Sequence, residues 1–442
     1  MTSSATPERY YIWTIGCQMN VADSERLESA LGQLGLASVQ DPADADVIVL
    51  NSCVVRQSAE DRVTGMLGTL KPLKQERQNR VIALMGCMVG PKHDDLRRRF
   101  PQVDVFMRPQ QYGPLLELLG DRLGVDVEGC VGPLVSAKPD VASYVPIIQG
   151  CDKFCSFCII PYRRGREVSR PVPEVVREVE LLAARGVREV TLLGQNVDSY
   201  GHDLPGQPCL ADLLESVHEV GGIRRIRFLT SHPNDMSDRI IQAVADLPKV
   251  CETINLPFQA GDDQVLEAMR RGYTNAQYRR LVEKIRVTVP GVALTTDLIV
   301  GFPGETPEQF ERTRELVEEL RFDKVHSAAY SPRPNTIAWR KMPNDVSPQE
   351  KKRRLQCIDA LQEGISAQVN ATYLGQTVEV LVDGRNRGRW QGRTRTDKLV
   401  YLEDSRDLHG QFVQATIEET GPWSIQGTVG VLERAAPEVI LR

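Results

Sequence analysis

Short apolar runs alternate with stretches of helical periodicity along most of this chain, and the alternation changes character twice. In the first segment, Tyr10–Ile15, Asp46–Asn51 and Val81–Leu84 read as buried strands. Ala22–Leu34, Ala59–Lys74 and Asp94–Arg99 read as helices between and after them, with Gly35 as a stop signal. This order predicts an open parallel sheet covered by helices over residues 8–123. A Gly- and Pro-containing loop, Gly124–Ala142, leads to a second segment over 143–368. There Tyr144–Gln149, Glu189–Leu193, Arg225–Thr230, Thr253–Pro257, Ala293–Val300 and Lys324–Tyr330 read as strands. A helix beginning near Pro173 and ending at Gly186, then Leu210–Val220, Asp235–Ala245, Ala276–Val287 and Pro307–Leu320, supply the helical stretches. Repeated strand–helix units predict a partial (β/α) barrel, whose sites lie at the C-terminal ends of its strands. Over 371–438 the pattern becomes short β runs, Thr377–Val382, Lys398–Leu402 and Phe412–Glu418, separated by turn residues. That predicts a small C-terminal β-barrel, and the chain as a whole is of the α/β class.

Composition narrows the possibilities. The 442 residues suffice for two or three domains with a sizeable core. Hydrophobic residues at 41% and charged residues at 26% suit a globular protein. The N-terminus lacks the basic-then-apolar pattern of a secretory signal, and no apolar run reaches membrane-spanning length. A cytoplasmic protein with no membrane partner is expected, with its ten cysteines reduced. A net charge of −5 gives no global attraction to nucleic acid, so any such contact rests on local patches.

The cysteines carry the strongest chemical signal. Gly150-Cys151-Asp152-Lys153-Phe154-Cys155-Ser156-Phe157-Cys158 puts three thiols in eight residues, directly after the first strand of the barrel-like segment. A structural zinc site wants a fourth ligand, and no His or Cys lies close in sequence to supply it. A 4Fe–4S cluster on three thiolates leaves one iron open to substrate. Cysteines packed as small hydrophobes would gain little in a loop carrying Asp152 and Lys153. Cys17, Cys53 and Cys87 each lie at or just beyond a strand end, in Ile-Gly-Cys, Asn-Ser-Cys and Met-Gly-Cys. Any one alone would pass for a core residue, but strand ends of an open sheet share one edge, so a second three-thiolate cluster follows. Cys130, Cys209, Cys251 and Cys357 show no such arrangement and read as packing or surface residues.

The C-x3-C-x2-C motif resembles that of the radical S-adenosylmethionine superfamily. In that superfamily the cofactor chelates the open iron and is cleaved by one electron to a 5′-deoxyadenosyl radical. Over nearly the whole chain, further stretches resemble the methylthiotransferase family. Gly16-Cys17-Gln18-Met19-Asn20, Asn51-Ser52-Cys53 and Gly86-Cys87-Met88 match its N-terminal cluster motifs. Tyr162-Arg163-Arg164-Gly165-Arg166-Glu167-Val168-Ser169-Arg170, Leu193-Gly194-Gln195-Asn196-Val197-Asp198-Ser199-Tyr200-Gly201 and Arg227-Phe228-Leu229-Thr230-Ser231-His232-Pro233 resemble its tRNA branch. Ala260 stands where that family usually has Ser, and Asn335 where it usually has Gly.

The resemblance implies two 4Fe–4S clusters, one on Cys151, Cys155 and Cys158 and one on Cys17, Cys53 and Cys87, with S-adenosylmethionine as cofactor. It implies hydrogen abstraction from C2 of a prenylated adenosine next to the tRNA anticodon, then transfer of a methylated sulfur from the second cluster. It also implies a low-potential donor such as flavodoxin or ferredoxin, a sulfur source for the second cluster, and a C-terminal TRAM domain that binds RNA. A monomer is expected. Threonylcarbamoylated adenosine or a ribosomal protein are the alternative substrates within the family, and a non-catalytic iron–sulfur RNA-binding protein is the alternative outside it.

Other residues are weighed against plainer roles. Gln195, Asn196, Ser231, Gln259 and Asp297 lie near strand ends, where S-adenosylmethionine would bind, although polar residues there also cap loops. His232 reads as a structural hydrogen-bonding residue more than as a base. Arg385, Arg387, Arg389, Arg393 and Arg395, with Trp390 and Lys398 among them, suit phosphate contact and base stacking against the alternative of a solvated hairpin. Arg163, Arg164, Arg166 and Arg170 are expected to guide RNA toward the cluster loop. No P-loop or H-E-x-x-H motif supports nucleotide hydrolysis or zinc proteolysis.

Overall fold

A computed structural model describes residues 6–54, 57–127, 134–136 and 139–432. Cys130, and 433–438 of the third expected segment, lie outside the described residues.

The first sheet has five parallel strands in the spatial order Ala37–Ser38, Arg9–Thr14, Val47–Ser52, Val81–Gly86, Val105–Met107. Val47–Ser52 and Val81–Gly86 are buried along their whole length, which is why they read as continuous apolar runs and not as alternating ones. Helices Gln18–Gln33 and Gly113–Leu123 cover one face, and Gln57–Glu76 covers the other. The chain leaves Arg9–Thr14 for one neighbour and returns to the other side at Val47–Ser52. The order therefore reverses between these two strands, a position where open α/β sheets hold ligands beyond the strand ends.

The second segment has six parallel strands in two groups of three: Ala142–Pro146, Glu189–Leu193 and Arg225–Leu229, then Thr253–Asn255, Ala293–Val300 and Lys324–Ala329. Backbone bonds Cys251 N to Ile226 O at 2.9 Å and Ser231 N to Asn255 O at 3.1 Å join the groups. The expected partial barrel results, with its core built from the inward strand residues and the helices around them. The periodicity does not predict the 24-residue helix Pro348–Ala371. Its inner face carries Lys351, Arg354 and Gln362 where an apolar stripe would be expected, and Arg354 pairs there with Glu305 at 2.7 Å.

The third segment is a closed five-stranded barrel of Thr377–Asn386, Arg389–Thr394, Leu399–Leu402, Ile425–Leu432 and Phe412–Thr420. Its arginines hide the strand Arg389–Thr394 in the sequence, yet it alternates inward Trp390, Gly392 and Thr394 with outward neighbours. This barrel docks on the N-terminal ends of the central strands. Arg225, fully buried, pairs with Glu379 at 2.7 Å and donates to Arg393 O at 2.7 Å. Arg227 donates to Thr394 O and Arg395 O, each at 2.7 Å. Arg395 forks onto Glu252 at 2.6 Å and Lys398 reaches Asp323 at 2.7 Å.

Candidate active site

The loop holding Cys151, Cys155 and Cys158 follows Ile148–Gln149, at the C-terminal end of the central strands. Gly150 opens it at φ +82°, and a Cβ there would lie 2.0 Å from Arg166 O, so only glycine fits. Gln195 Oε1 accepts the Gly150 N–H at 2.6 Å. Asp152 N–H donates to Glu167 Oε1 at 3.2 Å and Glu167 N–H to Asp152 Oδ1 at 3.3 Å, closing the loop on the strand behind it. Lys153 pairs with Asp235 at 2.6 Å, and Asn196 Nδ2 donates to the same carboxylate at 2.7 Å. Arg271 Nη1 donates to Cys155 Sγ at 3.4 Å, and its other nitrogens are held by Tyr273 Oη and Pro257 O. Burial pushes the Cys151 and Cys158 thiols up to about 12, so without a metal they stay protonated.

Cys17 caps the helix Gln18–Gln33, while Cys53 and Cys87 directly follow the paired strands that end at Ser52 and Gly86. Cys87 N–H donates to Ser52 O at 2.8 Å. Gly86, at φ +99°, permits this approach, since a Cβ there would meet Ser52 O at 2.4 Å. Asn20 Nδ2 donates to Asn51 Oδ1 at 2.8 Å and to Ser52 O at 3.1 Å, tying the Cys17 turn to the Cys53 strand. Burial raises the Cys87 thiol to about 11; Arg164 opposes the rise, and nearby Cys53 and Cys17 add to it. The three expected cysteines thus share one electrostatic environment at the strand-order reversal.

The two sets adjoin. Ile159, next to Cys158, packs with Cys87 and Val54. Met19 and Ala22, just after Cys17, pack with Tyr144, Leu193 and Leu229 at the central strands. Arg164 Nε donates to Cys87 Sγ at 3.3 Å, and Arg164 Nη2 pairs with the buried Asp23 at 3.1 Å. Neither cysteine set is drawn together as tightly as a single zinc ion would hold it. Bonds of about 2.3 Å would bring tetrahedral sulfurs to roughly 3.8 Å of one another. Among the described residues, the ligand-type groups that close to within 4.8 Å of one another are Asp152, Glu167 and His202, and neither cysteine trio does so. Three thiols spaced more widely suit a multi-iron cluster.

The expected cofactor contacts are placed as follows. Asn196 Oδ1 is buried with no hydrogen-bond partner among the described residues, as is His232 Nε2. Ser231 Oγ donates to Asp198 at 2.9 Å, which also takes the His232 N–H at 3.0 Å. Gln259 adopts φ +71° and its N–H donates to Asp297 O at 3.0 Å; Asp297 Oδ2 accepts from Asn255 at 3.1 Å. Burial, with Arg271 and Lys153 nearby, lowers His232 to about 2, which keeps it neutral and fits the structural role. Asn335 sits at φ +76°, a left-handed conformation that asparagine and aspartate tolerate better than most residues with side chains.

The arginines divide. Arg164, expected to guide RNA, is 3% exposed and turned inward to Asp23 and Cys87. Arg163 leans over Gly90, and Arg170 is held by Glu178 and Pro146 O. Arg166 stays exposed beside Asp152 and Phe154. In the barrel, Arg385 stacks on Trp390 at 3.9 Å, Arg389 lies over Tyr401, and Arg387 is exposed at the hairpin tip. Arg393 pairs with Asp397, whereas Arg395 and Lys398 face the central segment. Sequence patterns do not reveal Arg271, Asp23 and Arg333, whose partners are remote in sequence and leave no local motif. Cys251 is buried, Cys209 caps a helix and Cys357 packs on the core.

Residues 145–317 match the Radical SAM superfamily, residues 9–108 the Uncharacterized protein family UPF0004, and residues 371–429 the TRAM domain. A protein of Roseiflexus sp. (strain RS-1) named tRNA-2-methylthio-N(6)-dimethylallyladenosine synthase is 51% identical over 96% of this chain and 90% of its own length. Proteins of the same name from Dehalococcoides mccartyi (strain CBDB1) and Herpetosiphon aurantiacus are 48% and 49% identical, covering 96% and 95% of this chain and 99% and 97% of their own. The radical S-adenosylmethionine methyltransferase TsrM from Kitasatospora setae, with cobalamin and a 4Fe-4S cluster bound, has a similar fold: TM-score 0.55, 14% identity, covering 87% of this chain and 80% of that one. The cobalamin-dependent S-adenosylmethionine radical enzyme OxsB with aqua-cobalamin bound gives 0.54, 11%, 84% and 68%. With its cysteine sets joined at one edge and its near-full-length relatives, the chain belongs to the radical SAM methylthiotransferases, in the family of tRNA-2-methylthio-N(6)-dimethylallyladenosine synthases.

Proposed function

We propose that this enzyme converts N6-dimethylallyladenosine, immediately 3′ of the anticodon in tRNA, to its 2-methylthio derivative. Membership of the superfamily brings a 4Fe-4S cluster and S-adenosylmethionine. The observation that carries the full reading is the junction of the two cysteine sets through Ile159, Arg164 and Cys87. One-site radical chemistry has no need of three further cysteines at a sheet edge, one of them, Cys87, packed against the residue after Cys158.

Cys151, Cys155 and Cys158 would hold one cluster and Cys17, Cys53 and Cys87 a second. The first, with S-adenosylmethionine, would supply the radical chemistry needed to attack an unactivated adenine C–H bond, and the second would supply sulfur. The protein's own groups do the rest. Gly150, Asp152 and Glu167 fix the cysteine loop against the strand ends, and Arg271 orients Cys155. Buried Asn196 Oδ1 is an acceptor waiting for a donor, which suits the amine of the cofactor; Gln195, Ser231, Gln259 and Asp297 line or brace the same strand ends. Arg166, Arg385, Arg387 and Arg389 remain available for phosphate, with Trp390 and Tyr401 beneath them. Arg393 is exposed enough to join them.

The chain is proposed to work as a cytoplasmic monomer, with a flavodoxin or ferredoxin as electron donor and a sulfur source for the second cluster. Among the described residues no helix is long and apolar enough to cross a membrane. Mass spectrometry of tRNA nucleosides from cells with and without the chain tests the reading. Loss of the methylthio nucleoside, with its prenylated precursor accumulating, is expected; unchanged nucleosides would refute it.

A further inference from the structure

Three guanidiniums from the central segment reach the Cys17, Cys53 and Cys87 site and leave buried N–H groups without partners. Arg164 Nη1, Arg163 Nε and Arg333 Nε and Nη2 make no hydrogen bond among the described residues. Arg164 and Arg333 are 3% and 4% exposed. Two of the three side chains are held by their other nitrogens. Arg164 is fixed by Cys87 Sγ and Asp23, and Arg333 Nη1 by Gln57 at 3.1 Å and Glu60 at 3.5 Å. Arg163 Nη1 rests where a Cβ on Gly90 would come within 2.4 Å, so the glycine three residues after Cys87 makes its room. All three stand next to this cysteine set: Arg164 touches Cys87 Sγ, Arg163 lies over Gly90 just after Cys87, and Arg333 is anchored on the helix that begins four residues after Cys53.

Buried charged donors rarely stay unpaired, because a buried cation without a hydrogen-bond acceptor is among the costliest groups a fold can carry. Arg271, beside the other set, has every side-chain nitrogen occupied. The surplus of guanidinium donors thus lies on the Cys17 side. These N–H groups are charged and lie beside a site that three thiolates would make negative, so an anion there would supply the acceptor they lack.

We infer that Arg163, Arg164 and Arg333 form a guanidinium collar that binds anionic sulfur at the Cys17, Cys53 and Cys87 site. That sulfur is either the inorganic sulfide of the cluster itself or a hydrosulfide ion brought to it. This rests on the two-cluster reading above. The collar belongs to the central segment while the cysteines belong to the first sheet, so the sulfur site is complete only when the two segments are docked. Hydrogen bonds and positive charge at cluster sulfur favour the reduced state and raise the reduction potential.

The test uses the full-length chain carrying Cys151→Ala, Cys155→Ala and Cys158→Ala, reconstituted anaerobically so that the remaining cluster is observed alone. Four irons in this background sustain the two-cluster reading, and their absence would overturn that reading before the collar is tested. In the same background, Arg333→Gln and Arg164→Gln should lower the reduction potential and shift the electron paramagnetic resonance spectrum at equal iron content. Arg333→Lys, which keeps charge but loses the forked donors, should fall in between, and it carries the test if Arg333→Gln does not hold iron. Titration with sodium hydrosulfide separates the two sources. A tenfold or greater loss of hydrosulfide affinity in the Gln variants assigns the collar to added sulfide; an unchanged affinity with a lowered potential assigns it to cluster sulfide. Unchanged potential, spectrum and affinity together would overturn the collar.

Discussion

Arg164 reaches Cys87 from a short helix, Ile160–Arg164, that begins two residues after Cys158. One hydrogen bond of 3.3 Å therefore links the sequence-local cysteine loop to a cysteine 77 residues upstream, in a different sheet. Its companion contact, Arg164 to Asp23, is buried on both sides, and breaking such a pair commonly costs about 3–5 kcal/mol.

The two cysteine sets should have separable roles. Cys151→Ala, Cys155→Ala or Cys158→Ala should abolish reductive cleavage of S-adenosylmethionine. Cys17→Ala, Cys53→Ala or Cys87→Ala should leave that cleavage measurable and stop methylthiolation. Product analysis by liquid chromatography on enzyme of matched iron content checks both; identical behaviour of the two sets would contradict separate roles.

Gly150 should be irreplaceable where another left-handed glycine is not. Gly150→Ala drives a methyl group into Arg166 O and should cost the chain about half its iron. Gly35, at φ +84°, has open space around its missing Cβ. Gly35→Ala should keep all of its iron and lose only about 1–2 kcal/mol of stability from the left-handed backbone. Iron assays and urea unfolding of the two variants check the contrast.

How far the sequence could be read divides along physical lines. Strands buried on both faces announced themselves as apolar runs, so Val47–Ser52 and Val81–Gly86 appeared within two residues of their ends, and with them the strand-end cysteines. Helix Pro348–Ala371 did not, because its buried face carries Arg354, Lys351 and Gln362, which a hydrophobicity pattern counts as exposed. The arginines were the least legible of all. Arg164 and Arg395 sit in basic stretches, and only the fold shows that Asp23 and Glu252 claim them.

RNA affinity should accordingly depend on Arg385, Arg387 and Arg389 and not on the whole basic run. Each Ala substitution there should weaken tRNA binding and reduce the slope of log affinity against log salt by about 0.7–0.9 for each phosphate no longer neutralised. Arg395→Ala should leave the salt slope alone and cost about 1 kcal/mol of stability, as expected for a partly exposed pair with Glu252. Deleting the whole barrel would be a poorer test, since it strips the partners from fully buried Arg225. Binding isotherms at several salt concentrations, with parallel thermal unfolding, distinguish the two groups.

His232 should make the fold acid-sensitive. Its folded-state value of about 2 lies below the ordinary 6.5, so below about pH 6.5 the unfolded chain takes up a proton that the folded chain refuses. This residue's contribution is therefore complete above pH 6.5 and is lost progressively as the pH falls toward 2, with a limiting slope of about 1.4 kcal/mol per pH unit. His232→Gln should show a shallower loss of stability than the parent between about pH 6.5 and 5. Urea midpoints across that range, on the two chains under the same anaerobic conditions, measure the difference.

The central claim concerns what is modified, and it is tested most directly by competition. Anaerobically reconstituted enzyme, supplied with S-adenosylmethionine and a low-potential reductant, is offered equal amounts of prenylated, unprenylated and threonylcarbamoylated anticodon stem-loops, together with ribosomal protein. Nucleoside and peptide mass spectrometry then reads the products. The account predicts methylthiolation of the prenylated stem-loop, in excess over the unprenylated one by at least an order of magnitude, as an apolar pocket gaining about 0.8 kcal/mol per buried methylene would give. Preferential methylthiolation of the threonylcarbamoylated stem-loop or of the ribosomal protein would contradict it.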